Sequence, residues 1–299
     1  MVKLDNNFIK TIVSIYKDKG VQWIENLPFL IEQCAQKWHL SEITTVAHLT
    51  YNYVAYAQQA GKSVVLKLRC NQEELEKEIN ALHIFACREM VAVRAYDICL
   101  GAMLLECIQP GESLASYVPD KDQQATEIAT YVVRRLHQKP ITEDTTFPLL
   151  DQVLPKFDKD FCELAPFLKP TRVLLKKLLS TQPRQVLLHG DFHHNNILLA
   201  EDNRWVAIDP EGLIGDPGYD MGLCIRNPLA LLVHQTNAQE IIINRIKDFA
   251  RLYGYDEYRL FQWTYVQAVS SAYWSLEDGL DIKNHCAFLE VLENIHKNV

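Results

Sequence analysis

The chain has 299 residues, 48% of them apolar, 23% charged and 10% aromatic. That composition excludes disordered and fibrous classes, and the length is enough to bury a core without disulfide or metal staples. The formal net charge of -8 lies wholly in the last third, where residues 190–299 carry 16 acidic and 8 basic side chains against 22 of each before them. This balance lacks the basic face that meets nucleic-acid phosphates, and it admits a cationic partner. The eight cysteines, at 34, 70, 87, 99, 107, 162, 224 and 286, form no Cys-x-x-Cys pair and no Cys/His zinc spacing. Lys10 interrupts the apolar N-terminal stretch, and no apolar run approaches the roughly 18 residues of a membrane span. A reduced, cytoplasmic protein with no membrane partner is the expectation.

Residues 43–58 (ITTVAHLTYNYVAYAQ) are rich in β-branched and aromatic residues, and Gly61-Lys62 then turns the chain into SVVLKLR, which predicts an antiparallel hairpin. Its AGKS turn is not a phosphate-binding P-loop, because Tyr56 stands where that motif needs Gly and the order is strand, turn, strand. A helix follows, with Asn71 as N-cap, Glu74 as its capping-box partner and Leu75, Ile79, Leu82 and Ala86 as the buried stripe. At about 100° per residue, Glu73, Glu74 and Glu76 point away from that stripe, which leaves Glu78 as the acid best placed to face inward. Two weaker strands (VAVRAYDI and AMLLECI) precede Gln109-Pro110-Gly111, a break that divides the chain into lobes at 1–108 and 109–299. Upstream the reading is mainly strands plus one helix; downstream it is mainly helical.

In the second lobe, apolar residues at 125, 128, 129, 132, 133 and 136 predict a helix over 122–138 that Pro140 ends. Residues 140–157 read as loop with short pieces, and helices are predicted near 158–180, 219–233, 238–253, 257–277 and 284–297.

The chemistry is concentrated in QVLLHGDFHHNNILLAEDNRWVAIDPEGLIGDPGYD, residues 185–220. ILLA and RWVAI flank the turn residues Glu201, Asp202 and Asn203, and pairing about that turn sets Asn196 opposite Ile208 and Asp209. An amide oxygen and a carboxylate at one end of a hairpin suit Mg²⁺, which keeps waters and borrows further oxygens from a phosphate. Asp191, in the polar loop HGDFHHNN, lies close in sequence and can accept a proton from a hydroxyl nucleophile. His189, His193 and His194 invite a zinc reading, but no third ligand cluster accompanies them, and His189 is better read as a packed residue that orients the loop.

The order His-x-Asp-x-x-x-x-Asn, then Asp-x-x-Gly 13 residues on, after an upstream strand Lys67 and helix Glu78, is that of kinases. The chain resembles the aminoglycoside phosphotransferases of the protein-kinase-like fold. More narrowly, it resembles the streptomycin and hydroxyurea resistance kinases, whose stretch has the form HGDxHHxNIL followed by IDPxGxxGDPxYD. TYNYVA, VVLKL, EINALHIF and AYWSLEDG support the likeness elsewhere. The resemblance implies an α+β, two-lobed fold with a small β-rich N-lobe that binds nucleotide and a larger helical C-lobe.

By that resemblance, Asp191 is the catalytic base, Asn196 and Asp209 hold Mg²⁺, Lys67 binds the phosphates of ATP or GTP, and Glu78 holds that lysine. LLECI, residues 104–108 with Glu106 and Ile108, is the implied hinge whose backbone holds the adenine. Leu49–Tyr53, with Thr50, Tyr51 and Asn52, is the implied phosphate loop, although it carries no glycine. Gly190 replaces the Arg that precedes a protein kinase's catalytic Asp, Asp209-Pro210-Glu211-Gly212 replaces Asp-Phe-Gly, and no Ala-Pro-Glu follows, which favours a small-molecule kinase. Glu211, Trp274, Glu277 and Asp278 are candidates for an acceptor pocket, the last three equally for a helix end. Asp216 and Asp220 are either substrate contacts or a turn former and a loop anchor. The expected acceptor is a small hydroxylated, cationic molecule of the aminoglycoside type, with an amino-alcohol or sugar kinase and a non-catalytic nucleotide-binding protein as the alternatives.

Overall fold

The computed structural model describes residues 4–139, 141 and 147–297, and the chain divides into two compact units, 1–86 with 91–109 and 87–90 with 110–299. The first unit begins with helices α1 (Asn6–Tyr16) and α2 (Asp18–Trp38), followed by β1 (Leu40–Thr45), β2 (Tyr53–Gln59), β3 (Lys62–Leu68), α3 (Gln72–Phe85), β4 (Val93–Asp97) and β5 (Ala102–Glu106). The strands form one antiparallel sheet in the order β1-β2-β3-β5-β4. The reading of this region as strands plus one helix is therefore corrected by two further helices. Their signal is a stripe every three or four residues, Trp23, Leu27, Ile31, Cys34 and Trp38, which Pro28 in the middle of α2 obscures.

The stretch 43–58 is not one strand but the end of β1, an intervening loop and most of β2. The predicted hairpin is β2 with β3, closed between Gln59 and Lys62 by Ala60 and Gly61, both at positive φ (48° and 75°). Two left-handed residues give the tight turn whose twist matches the strands. Side-chain alternation along β3 then divides the residues. Val64, Leu66 and Leu68 join the core shared with α1 and α2, while Lys67 points to the opposite face and meets α3. In α3 the Asn71 side chain caps the Glu73 N–H at 3.0 Å, and Glu78 lies on the buried face with Leu75, Ile79 and Leu82.

The second unit contains β6 (Pro110–Ser113), α4 (Asp122–Leu136), α5 (Leu150–Val153), α6 (Ala165–Ser180), β7 (Val186–Leu188), β8 (Ile197–Ala200), β9 (Trp205–Ala207) and β10 (Leu213–Gly215). The helices α7 (Gly218–Arg226), α8 (Leu229–Leu232), α9 (Ala238–Tyr253), α10 (Glu257–Glu277) and α11 (Lys283–Lys297) complete it. Strands β6-β8-β9 make one sheet and β7-β10 another. Cys87–Met90 belongs to this unit, since Met90 bridges Ala207 and the Glu89 carbonyl accepts the Ala207 N–H at 2.8 Å.

Two predicted helices are shorter than expected. Residues 158–164 lie outside α6, which starts beside Pro166, and the stretch 219–233 is broken at Asn227-Pro228. Proline there supplies no N–H and pushes Asn227 to an extended conformation, so α7 ends at Arg226. Pro140, expected to end α4, lies outside the described residues. No helix among those described is long and apolar enough to cross a membrane.

α10 is buried nearly all round, as a helix at the centre of a helical layer must be. α7 lies against it through glycines. A Cβ at Gly218 would stand 2.3 Å from Trp263 Cδ1 and 2.7 Å from the Tyr255 hydroxyl, and one at Gly222 would stand 3.0 Å from the Thr264 nitrogen. We expect Gly218→Ala to cost about 1–3 kcal/mol, the usual penalty of overpacking against rings that cannot retreat. A melting temperature equal to the wild type's would refute this account of the α7–α10 contact.

Candidate active site

In the first unit the buried feature is an ion pair. Lys67 Nζ lies 2.6 Å from Glu78 Oε1, and both side chains are only 2% exposed. Arg69 Nε stands 3.5 Å from the other Glu78 oxygen and also donates to Asn52 Oδ1 at 2.9 Å, while its Nη1 donates to the Glu74 carbonyl at 3.1 Å. Glu78 thus faces two cations, and the second of them ties Asn52 in place beside the exposed Thr50 and Tyr51. Sequence reasoning missed Arg69, whose only signal is its place two residues after Lys67 on the same strand face. At the far end of β5, the Glu106 carboxylate accepts the Ala92 N–H at 3.2 Å, which commits its side chain to the neighbouring segment. Ile108, just beyond β5, is partly buried.

In the second unit the loop 189–196 is held from beneath by Asp220 of α7. Its Oδ2 accepts the His189 N–H at 2.7 Å and its Oδ1 accepts the Gly190 N–H at 2.9 Å. His137 Nε2 reaches the same Oδ2 at 2.9 Å, and its Nδ1 lies 2.9 Å from the Tyr253 hydroxyl. Asp220 is fully buried. Of its two readings, the structure supports the loop anchor.

His189 uses both ring nitrogens. Nδ1 accepts the Asp191 N–H at 3.3 Å and Nε2 donates to the Ile208 carbonyl at 2.9 Å, a pattern that a single neutral tautomer satisfies. Burial pushes the ring below the ordinary histidine range, against the opposing charges of Asp220 and Asp191. The His189 carbonyl in turn accepts the Glu211 N–H at 2.7 Å. This one residue therefore staples the loop to the Asp209–Gly212 bend, and it has no nitrogen left for zinc. Gly190 sits at φ 86°, and a Cβ there would stand 2.7 Å from Glu211 Cβ, so the close approach of the two segments requires glycine.

The hairpin register predicted from the sequence is present: Ile197 pairs with Ala207, Leu198 with Val206, Leu199 with Trp205, and the Ile208 N–H extends the ladder to the Asn196 carbonyl at 2.9 Å. Asn196 Nδ2 donates to the Asp191 carbonyl at 3.0 Å and to Asp191 Oδ2 at 3.1 Å, which leaves the amide oxygen as an acceptor. Burial pushes the Asp191 carboxyl up, but hydrogen bonds and charge from His193, then His189 and Asn196, outweigh it and hold the acid below its usual range. The carboxylate is ionised and still 44% exposed. Asp209 follows at φ 59°, turned out of the strand by the bend and partly exposed.

Asp216 is withdrawn as a substrate contact. It has no exposed surface, accepts the Gly218 N–H at 2.9 Å, and is paired with Arg259 and the Tyr255 hydroxyl. Glu211 lies beside the catalytic loop through its backbone, with its side chain exposed. Trp274, Glu277 and Asp278 fall on the last turn of α10, where Asp278 is the C-cap and Glu277 is paired with Lys159 at 2.7 Å.

These parts are the layout of a protein-kinase-like small-molecule kinase, with a β-sheet unit bearing a buried Lys–Glu pair and a larger helical unit bearing the Asp-Asn-Asp set. A family model described as aminoglycoside/hydroxyurea antibiotic resistance kinase matches residues 37–279, and the chain belongs to that family. It is 27% identical to the streptomycin 6-kinase of Streptomyces glaucescens over 93% of this chain and 92% of the relative, and 28% identical to the hydroxyurea phosphotransferase of Kitasatospora aureofaciens over 87% and 76%. An amicoumacin kinase solved with AMP-PNP and Ca²⁺ shares the fold at a TM-score of 0.68 and 16% identity, covering 94% of this chain and 96% of that one. A choline kinase from Streptococcus pneumoniae does so at 0.63 and 13%, covering 91% and 99%. The protein is thus a kinase that transfers phosphate from ATP to a hydroxyl group of a small molecule.

The anchoring role of Asp220 has a measurable consequence. Asp220→Asn keeps the shape but replaces one accepting oxygen by a donor that faces a backbone N–H or His137. A buried hydrogen bond to a charged group is worth about 1.5–3 kcal/mol. Both melting temperature and kcat should fall, and retention of wild-type values for both would refute the anchor.

Proposed function

We propose that Asp191 is the catalytic base, Lys67 the phosphate-binding cation held by Glu78, and Asn196 with Asp209 the protein ligands of Mg²⁺, in a reaction whose acceptor is a hydroxylated, cationic antibiotic of the streptomycin type. The observation that carries this reading is the ionised, partly exposed Asp191 carboxylate, fixed by Asn196 beside the bend that bears Asp209. The acceptor hydroxyl donates its hydrogen bond to Asp191. As its oxygen bonds to the γ-phosphorus, the bond from that phosphorus to the bridging oxygen of ADP breaks, and the hydroxyl proton passes to Asp191. Because the loop is already pinned by Asp220 and Asn196, little reorganisation accompanies the transfer, and positioning carries most of the rate.

The donor set fits a metal of the Mg²⁺ kind. One amide oxygen and one carboxylate are hard ligands too few to form a cage, which suits an ion that takes its remaining oxygens from water and phosphate. When bound, such an ion neutralises charge developing on the transferred phosphate. Asn196 would present Oδ1 to it, since its amide hydrogens are spent on Asp191. Lys67 donates to phosphate oxygens, with Glu78 holding the ammonium. The exposed loop residues Thr50 and Tyr51, with the partly buried Asn52, lie over the phosphates, and the backbone at Glu106 and Ile108 meets the base of ATP, or of GTP. Glu211, Trp274, Glu277 and Asp278 contribute to the acceptor side. The eight cysteines are all unpaired, which supports the cytoplasm, where ATP is available, as the site of action.

Asp191→Ala should lower kcat by about 10² to 10⁴ while leaving Mg-ATP binding nearly intact, the usual effect of removing a positioned proton acceptor. Asp209→Ala should instead abolish Mg-dependent nucleotide binding by calorimetry; unchanged affinity would remove Asp209 from the metal site. Lys67→Ala should raise the KM for ATP. For the acceptor, the panel is streptomycin, other aminoglycosides, hydroxyurea, choline and neutral polyols, assayed at low and moderate salt. The acidic excess of residues 190–299 should make the KM for a cationic acceptor rise with salt, because partly exposed charges are screened over about 8 to 10 Å. Turnover confined to choline or polyols would replace the antibiotic with a metabolite as acceptor.

A further inference from the structure

The side-chain partner of Asp220 has partners of its own that lead away from the catalytic loop. His137, the residue that ends α4, places Nε2 2.9 Å from Asp220 Oδ2 and Nδ1 2.9 Å from the hydroxyl of Tyr253, the last residue of α9. Arg184, in the segment between α6 and β7, donates through Nη2 to the same hydroxyl at 2.6 Å, and its guanidinium carbon lies 5.5 Å from the centre of the Tyr253 ring. His137 and Tyr253 are buried, whereas Arg184 is exposed. A line of four side chains, drawn from four separate segments of the second unit, thus runs from the surface to the loop that bears Asp191.

Counting hydrogens gives this line a direction. A guanidinium only donates, so the Tyr253 oxygen accepts from Arg184. Burial pushes the Tyr253 hydroxyl up to about 12, against the opposing charge of Arg184, so it keeps its hydrogen at neutral pH. Among the described residues, His137 Nδ1 is the one remaining partner of that hydroxyl, and it therefore accepts. An imidazole that accepts at Nδ1 carries its hydrogen on Nε2, which donates to Asp220 Oδ2. Without the Tyr253 hydrogen the ring is free to take the other tautomer, which sets a nitrogen lone pair against the oxygen that accepts the His189 N–H.

We infer that His137 and Tyr253 are positioning residues for the phosphoryl transfer: Tyr253 fixes the tautomer of His137, His137 aims Asp220, and Asp220 sets the place of Asp191, with Arg184 as the outer end of the line. The inference rests on the reading of Asp191 as the catalytic base. All three side chains act through Asp220, so their effect is on where the base stands and is read in kcat rather than in nucleotide binding. A small displacement is enough, since about 1 Å of misplacement costs up to about 10²-fold in rate.

The experiment measures kcat and the KM for Mg-ATP with streptomycin, or with the member of the panel above that the wild type turns over fastest. The variants are Tyr253→Phe, His137→Leu, His137→Gln, Arg184→Met and the pair Tyr253→Phe with Arg184→Met, and melting curves confirm folding. Tyr253→Phe should lower kcat about three- to tenfold and His137→Leu about tenfold or more, with the KM for ATP within about twofold. His137→Gln, whose amide still donates toward Asp220, should recover part of the loss. Arg184→Met should lower kcat about twofold alone and add nothing to Tyr253→Phe, because the two act in series. If Asp191→Ala loses turnover while Tyr253→Phe and His137→Leu keep the wild-type kcat, this inference alone is overturned. It is overturned equally if His137→Gln is as impaired as His137→Leu, which reduces the residue to packing. If His137→Leu does not fold, Tyr253→Phe decides by the first criterion. If Asp191→Ala keeps wild-type turnover, the reading of Asp191 as the base falls, and this inference with it.

Discussion

A single buried carboxylate governs the catalytic loop. Asp220 has no exposed surface, and a carboxyl group in that position is tolerable only if its oxygens are engaged. They are, by two successive backbone N–H groups and by His137. The two backbone bonds fix the peptide planes of His189 and Gly190, and those planes decide where Asp191 begins. From there the constraint spreads through His189, whose ring and carbonyl bind Ile208 and Glu211 and so bring the Asp209 bend to the loop. Remove the two accepting oxygens at 220 and each later contact loses its reference point.

Asp220 can reach the loop because α7 lies so close to α10. Gly218 and Gly222 let the Trp263–Thr264 backbone and the Trp263 ring occupy the space of absent side chains, which sets the depth of α7 in the fold. The adjoining Asp216 spends its charge on Arg259 and the Gly218 N–H, clamping the start of α7 to α10. Acids at 216 and 220 are therefore the two fastenings of one short helix, the first to a neighbouring helix and the second to the reacting loop.

Much of this was legible in the residues. The β8–β9 register followed from a three-residue turn and two apolar runs, because local pairing leaves little freedom once the turn is fixed. Glu78 followed from helical period alone. α9 and α10 were legible over their observed bounds, since their apolar residues recur without an interior proline. What failed has equally physical causes. α1 and α2 carry a clear stripe, yet Pro28 breaks the pattern the eye follows. Asp216 read as a turn residue or ligand because its partner, Arg259, is 43 positions away.

The two units meet the problem of placing charge in opposite ways. In the first, Lys67 and Glu78 are both buried and in contact, an arrangement that gains little stability over an apolar pair but costs about 3–5 kcal/mol if one member is removed. Its use is to keep an ammonium at a fixed point of β3 without a ligand present. In the second unit the Asp191 carboxylate stays partly exposed and, among the described residues, is held by the Asn196 amide and by His193, so it keeps its charge and its access to solvent. Had Asp191 been given a buried ion-pair partner like that of Glu78, its oxygens would be taken up by a cation and closed to any other group.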